Sequence, residues 1–194
     1  MGKLLVINHV TLDGVMQAPG RPDEDTRGGF EHGGWAVAGN DEVMATKMAE
    51  GMAKQGGALL LGRRTYENFY AYWPRQTDNP YTDRLNATTK YVASRTLTEP
   101  LPWSNSILLD GDAADSVAQL KREPIGDVTV MGSGELIQSL VAADLIDEYL
   151  LMIHPIVLGA GRRLFTEGTR TSLRLVDSIT TTTGVVMATY EPAR

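Results

Sequence analysis

Hydrophobic residues in this chain come in short apolar runs separated by amphipathic stretches, and the two periods predict strands and helices in alternation. Lys3–Val10 is apolar and stops at the turn signal Asp13-Gly14, which predicts a first strand. Asp41 is placed to cap a helix in which Met44, Met48 and Met52 recur four apart beside Ala45 and Ala49, before Gly56-Gly57 stops it. Ala58–Leu61 predicts a short buried strand, and Gly62 leads into a helix start at Arg63. Asn79–Thr89 reads as a polar connection with a helical turn. Lys90–Ala93 and Ser106–Leu109 predict strands, and Asp112–Arg122 predicts a helix. The β-branched run Val128–Met131 predicts a strand, followed by a helix with Leu136, Ile137, Leu140 and Val141 at helical spacing. Leu145–Ile153 with Pro155–Leu158 reads as a long extended stretch, and Ser172–Thr180 with Gly184–Tyr190 as an antiparallel pair about a Thr-rich turn. This order predicts an α/β fold, with a mostly parallel central sheet and antiparallel C-terminal hairpin strands, in one domain over residues 1–194.

One segment breaks the alternation. Gln17–Asn40 is rich in Gly, Pro, Asp and Glu, with Phe30 and Trp35 as its main hydrophobes. So long a loop in a compact domain is often a lid or binding loop.

Composition narrows the chemistry. A net charge of −6 argues against nucleic acid or an anionic membrane as partner, while Arg63-Arg64 and Arg162-Arg163 can still hold a small anion. The absence of cysteine removes disulfides, thiolate catalysis and Cys-ligated metals. His9, His32 and His154 are scattered without helical pairing, so no metal site is expected, and His154 before Pro155 reads as a strand-end residue. The N-terminal run is too short and too weakly basic for a signal peptide, and no stretch nears the ~20 apolar residues of a membrane span. A cytoplasmic protein acting on a small molecule is the expectation.

Three clusters then carry the chemistry. Gly132-Ser133-Gly134 sits between a strand and a helix, where glycine lets the backbone approach a ligand and the helix start offers N–H groups to a phosphate. A tight strand-to-helix corner would use glycine even without a ligand. Gly62-Arg63-Arg64-Thr65 repeats the junction with two arginines and a hydroxyl. An arginine grips phosphate bidentately, although the same pair also suits a solvated helix start. Ser94-Arg95-Thr96 adds a third basic and hydroxylic cluster at a strand end, which a simple capped loop would equally explain. Taken together they describe a site with several contacts to one anion, a better fit to a dinucleotide with an extra ribose phosphate than to a lone phosphate.

With these motifs in order, the chain resembles the dihydrofolate reductase-like superfamily, in the branch of the riboflavin-biosynthesis reductase (RibD C-terminal) domain. The carrying segments are Thr11-Leu12-Asp13-Gly14, Leu61-Gly62-Arg63-Arg64-Thr65-Tyr66, Ser94-Arg95-Thr96, Met131-Gly132-Ser133-Gly134-Glu135, Leu145-Ile146-Asp147-Glu148 and His154–Gly161. The resemblance implies a three-layer fold and an NADPH site. By position, Arg63 would face the 2′-phosphate, with Ser94 and Arg95 as a second segment there. Arg64 and Thr65 would lie along the pyrophosphate, preceded by Gly62. Gly132, Ser133, Gly134 and Glu135 would underlie the pyrophosphate and nicotinamide ribose, and Val10, Leu12, Asp13 and Gly14 would run beside the nicotinamide. The family also implies hydride transfer to a pterin- or aminopyrimidine-like acceptor and a homodimer, for which apolar Leu150–Val157 is the candidate contact.

Two departures bear on the substrate. The lysine that usually follows Asp-Gly in the riboflavin branch is Val15 here, which weakens a ribosyl-phosphate pyrimidine. Trp35 followed by Asp41 and Glu42 approximates the substrate-holding carboxylate of folate reductases, one residue off its spacing, and Asp41 equally suits a helix cap. Asp13 and Asp41 are thus the candidate proton donors, alongside water. A sensor that binds NADPH without catalysis, or an interaction protein on the same fold, is the alternative reading.

Overall fold

The computed structural model describes residues 2–54 and 57–193, with backbone alone at positions 50–54 and 80. In chain order the elements are β1 (Leu4–Thr11), α1 (Glu42–Lys54), β2 (Ala58–Gly62), α2 (Arg63–Tyr72), α3 (Pro80–Ala87), β3 (Lys90–Ala93) and β4 (Ser106–Leu109). They continue as α4 (Ala113–Leu120), β5 (Val128–Met131), α5 (Gly134–Ala142), β6 (Glu148–His154), β7 (Leu173–Thr180) and β8 (Val186–Pro192). The strands form one eight-stranded sheet in the order β4-β3-β2-β5-β1-β6-β8-β7. β1 pairs with β6, β2 with β3 and β5, and β3 with β4, all parallel, whereas β8 pairs antiparallel with both β6 and β7. The mostly parallel sheet with an antiparallel C-terminal pair is thus the one the alternation predicts.

The chain forms two units, Met1–Leu4 with Gly56–Leu145, and Leu5–Gln55 with Ile146–Arg194. In the first, β2 and β5 are apolar and buried throughout their length apart from their last residues, as strands covered on both faces must be. Leu59, Leu61 and Val92 pack there with Tyr66, Leu85 and Trp103, and Phe69, Trp73 and Tyr81 close the cluster. Tyr66 therefore packs α2, and its hydroxyl accepts from the Trp103 backbone N–H at 3.0 Å.

The segment read as a polar connection is a two-turn helix, α3. Asn79 caps it by accepting from the Tyr81 N–H at 3.0 Å, and Pro80 supplies a preset first turn. Its far end is closed by Lys90, a fully buried lysine whose Nζ donates to Leu85 O at 2.7 Å and Thr88 O at 2.6 Å while lying 4.5 Å from the centroid of the Trp103 ring.

In the second unit Leu5 and Ile7 of β1, Met44 of α1, Met152 of β6, and Val185 and Met187 form one cluster with Met48 against it. Met44 and Met48 are thus core; the Met52 side chain lies outside the described residues. The long loop is organised by its own core of Val15, Ala18 and Phe30, with Trp35 and Leu158 packed on it. Gln17 pins it by donating to Asp25 O and Arg27 O at 3.1 and 2.9 Å and accepting from the Arg162 N–H at 2.9 Å. The extended stretch after Leu145 narrows to β6, because Pro155 has no N–H for a ladder and 155–158 leave the sheet. Leu151, Met152 and His154 are interior, so of the stretch expected at a subunit contact Pro155 and Val157 stand exposed.

Candidate functional site

In the first unit the two glycine junctions interlock. Parallel pairing of β2 with β5 brings the starts of α2 and α5 side by side. The Ser133 Oγ accepts from the Gly62 N–H at 2.8 Å and donates to Thr65 Oγ1 at 2.9 Å, and the Ser133 N–H also donates to Thr65 Oγ1 at 3.0 Å. Thr65 Oγ1 therefore accepts twice and keeps its own O–H for another acceptor. Ser133 stands at φ 60°, ψ 48°, a left-handed conformation that costs a non-glycine residue roughly 1–2 kcal/mol. The hydrogen bonds to Gly62 and Thr65 offset that cost. Gly132, at φ 57°, is required for a second reason, since a Cβ there would lie 3.2 Å from Thr65 Cγ2.

Both helices begin without a side-chain cap: neither Gly62 before α2 nor Ser133 before α5 bonds the first-turn amides through a side chain. α1, α3 and α4 do have such caps, from Asp41, Asn79 and Asp112. The starts of α2 and α5 thus carry no side-chain cap, and helix N-termini of this kind suit an anion. Around them stand the arginines, each with an exposed acidic partner: Arg63 with Glu67 at 3.1 Å, Arg64 with Glu135 at 3.0 Å, and Arg95 with Asp112 at 3.2 Å. Such surface pairs are worth about 0–1 kcal/mol, so a phosphate can displace them. Ser94 holds its own loop, its Oγ accepting from the Thr96 and Leu97 N–H groups at 3.1 and 3.0 Å.

In the second unit the Thr11–Val15 turn is built on Asp13. Its carboxylate accepts from Thr11 Oγ1 at 2.6 Å, from the Gly159 N–H at 2.8 Å and from the Leu158 N–H at 3.2 Å. These donors, the Thr11 hydroxyl foremost, hold the carboxyl down at about 2. Asp41 is similarly occupied. It caps α1 through the Met44 N–H at 2.8 Å and accepts from the Thr182 N–H and hydroxyl at 2.6 and 2.7 Å, and these bonds keep it below the ordinary carboxylate range. Both carboxylates are ionised at neutral pH and have no proton to give. Val10 is buried, Leu12 is exposed, and Gly14 takes φ 80° in the turn.

Sequence reasoning passed over a histidine pair. His9 Nδ1 and His154 Nε2 lie 2.9 Å apart, and Trp35 packs edge-on to His154 at 5.2 Å between centroids. Burial, and to a lesser degree the neighbouring ring, push His9 down to about 4, and burial also lowers His154. Both rings are neutral at pH 7. The signal lay in topology: positions 145 residues apart meet only because β1 and β6 are parallel neighbours with Thr11 opposite His154. Among the described residues, no group of three or more His, Cys, Asp or Glu side chains is arranged to hold a metal.

This architecture is the dihydrofolate reductase-like α/β class. A dihydrofolate reductase from Enterococcus faecalis, complexed with NADP(H), superposes with a TM-score of 0.62 over 100% of this chain and 98% of that one, at 15% identity. The chain belongs to the RibD C-terminal domain family, whose match runs over residues 3–187. It is 33% identical to the uncharacterised protein YyaP of Bacillus subtilis (strain 168) over 138 residues, 68% of this chain and 72% of that protein. A crystal structure of a Shewanella sp. PV-4 protein, provisionally assigned to riboflavin biosynthesis, superposes with a TM-score of 0.75 at 26% identity and covers 99% of both chains. The fold and family are thus of reductase type. No helix among the described residues is long and apolar enough to cross a membrane.

Proposed function

We propose that the protein is an NADPH-dependent reductase that transfers hydride to a small heteroaromatic or imine-type substrate, pterin- or aminopyrimidine-like, in the cytoplasm. The observation that carries this reading is the interlocked pair of uncapped helix starts at Gly62–Thr65 and Gly132–Glu135, with three arginines in weak surface pairs around them. The fit to a dinucleotide is chemical: first-turn amides and the Thr65 hydroxyl can donate to pyrophosphate oxygens, and the arginines supply charge. Arg63, with Ser94 and Arg95, would take the 2′-phosphate, and Arg64 with Glu135 the neighbouring pyrophosphate and ribose. By resemblance Val10, Leu12 and Gly14 keep their reading beside the nicotinamide, and Asp13 becomes the residue that shapes their turn. The bound dinucleotide would supply hydride; the chain supplies position and charge.

The test is thermal. NADPH at ~100 times its dissociation constant should add about 2.7 kcal/mol of stability. Arg63→Ala should weaken NADPH roughly 10- to 150-fold while leaving NADH nearly unchanged, because a charge-assisted contact to the 2′-phosphate is worth about 1.5–3 kcal/mol. Equal weakening of both nucleotides would remove Arg63 from that role, and no shift with either would end the NADPH reading.

A second reading draws on Asp13 and Asp41, both fully engaged within the fold. A sensor that holds NADPH and reduces nothing would need no free acid. It is distinguished by unchanged NADPH absorbance across pterins, aminopyrimidines and quinones.

For the homodimer, the exposed apolar side chains include Val157 of the candidate contact, and Leu175 and Val176 on β7, the outermost strand. A solution mass near twice 21.1 kDa by light scattering is the expected result, and a mass of one chain at micromolar concentration would exclude the dimer.

A further inference from the structure

We propose that the His9–His154 pair is a two-ring proton relay that delivers the proton accompanying hydride transfer, with His9 as the donor and His154 as the residue that positions and refills it. This inference rests on the reductase reading above. Reduction of a C=N or conjugated C=C bond places hydride on one atom and leaves its partner one proton short. Some group must supply that proton, and the two carboxylates that the sequence offers as acids are both engaged. Asp13, two residues beyond Thr11, is held by one hydroxyl and two amides, and Asp41, two residues beyond Gly39, by two amides and a hydroxyl.

The pair has the properties that those carboxylates lack. One proton lies between His9 Nδ1 and His154 Nε2, across 2.9 Å. Each ring has one further nitrogen, and among the described residues no side chain or backbone group hydrogen-bonds His9 Nε2 or His154 Nδ1. His9 is half-buried, whereas His154 is 2% exposed and fixed by the edge of Trp35. The rings share their face of β1 and β6 with Ile7 and Met152, and Val185 and the Val37–Gly39 turn complete the surroundings. Among the described residues no carboxylate or cation is ion-paired or hydrogen-bonded to either ring.

Two tautomeric arrangements of the neutral pair follow. In one, His154 Nε2–H donates to His9 Nδ1 and His9 Nε2 carries a proton outward; in the other, His9 Nδ1–H donates and His154 Nδ1 carries the proton. Passing from the first to the second gives the His9 Nε2 proton to the acceptor, moves the shared proton from His154 to His9, and takes a proton from water at His154 Nδ1. Neither ring accumulates charge. The acceptor gains the hydride's two electrons and one proton, and the dinucleotide that brought the hydride is oxidised. Gly39 bears on the refilling end, since a Cβ there would stand 2.5 Å from His154 Nδ1; only a glycine backbone fits against that edge of the ring.

Two measurements test this. In long-range proton–nitrogen correlation spectra of histidine-labelled protein without nucleotide, both rings should be neutral at neutral pH. Their nitrogen shifts should be averaged between the two tautomers; a ring locked in one tautomer, or charged, overturns the relay. With NADPH and a panel of pterins, aminopyrimidines and quinones, His9→Gln should lower turnover roughly 100-fold, the scale of general acid catalysis. It should keep the wild-type thermal shift with NADPH and recover part of its rate with added imidazole. His154→Asn should lower turnover less and steepen the dependence on pH, because refilling then relies on bulk acid. Wild-type turnover in His9→Gln overturns the relay and leaves the reductase reading standing. NADPH binding without wild-type turnover of any acceptor overturns both.

Discussion

Acidification from pH 7 to pH 4 should cost the folded protein about 3 kcal/mol through His9 alone. Burial and the neighbouring His154 ring lower His9 from 6.5 to about 4. The sign follows from proton uptake. Above pH 6.5 the ring is neutral both folded and unfolded, and stability does not depend on it. Between 6.5 and 4 the unfolded chain binds a proton that the folded chain refuses, so stability falls as pH falls. His154, lowered by burial, adds loss in the same direction. Asp13 acts in a separate window, because a carboxyl held at about 2 loses its contribution only as pH falls from about 4 towards 2. Urea unfolding at pH 7 and pH 4.5 would check this, with His9→Gln expected to flatten the difference. An equal slope in wild type and variant would show that the ring is not held neutral by its surroundings.

The second large effect is expected at Lys90. Burial pushes its ammonium down to about 8, leaving it mostly charged at neutral pH, where it donates to the last carbonyls of α3 and lies against Trp103. A cation at a helix C-terminus answers both the unpaired carbonyls and the negative end of the helix dipole. Lys90→Met keeps most of the volume and removes the donor, so Leu85 O and Thr88 O lose their partner inside the core. With ~1–3 kcal/mol for each buried polar group left unpaired, the loss should be about 3 kcal/mol, or a fall in melting temperature of roughly 6–12 °C. A change under about 0.5 kcal/mol would mean that water replaces the ammonium there.

These two residues also mark where the sequence was readable and where it was not. Local signals served the sheet well: β-branched and apolar runs located β2 to β5 within a residue or so, and Asp41 and Asp112 marked the starts of α1 and α4. The ordered motifs also pointed to the family. Lys90, by contrast, read as the polar start of a strand, because its partners lie on α3, a helix with too few apolar positions to show a period. His9 and His154 read as isolated for a related reason. Strand pattern gives the face of a side chain but not its neighbour on the next strand, and the parallel pairing of β1 with β6 is a long-range fact. Asp13 and Asp41 show the same limit from the other side. Residue type and position suggested acids, and only the donors around them, supplied by residues 158, 159 and 182, show how fully both carboxylates are engaged within the fold.

The hydroxyl contact between Ser133 and Thr65 carries a consequence for how this protein can vary. The chemistry acceptable at one position depends on what stands at the other: valine at 65 would take the acceptor from the Ser133 amide, and alanine at 133 would take a partner from both Thr65 and the Gly62 amide. Neutral drift at this corner is therefore confined to paired changes, and the two positions should be inherited as a single trait even in relatives that have exchanged one acceptor for another.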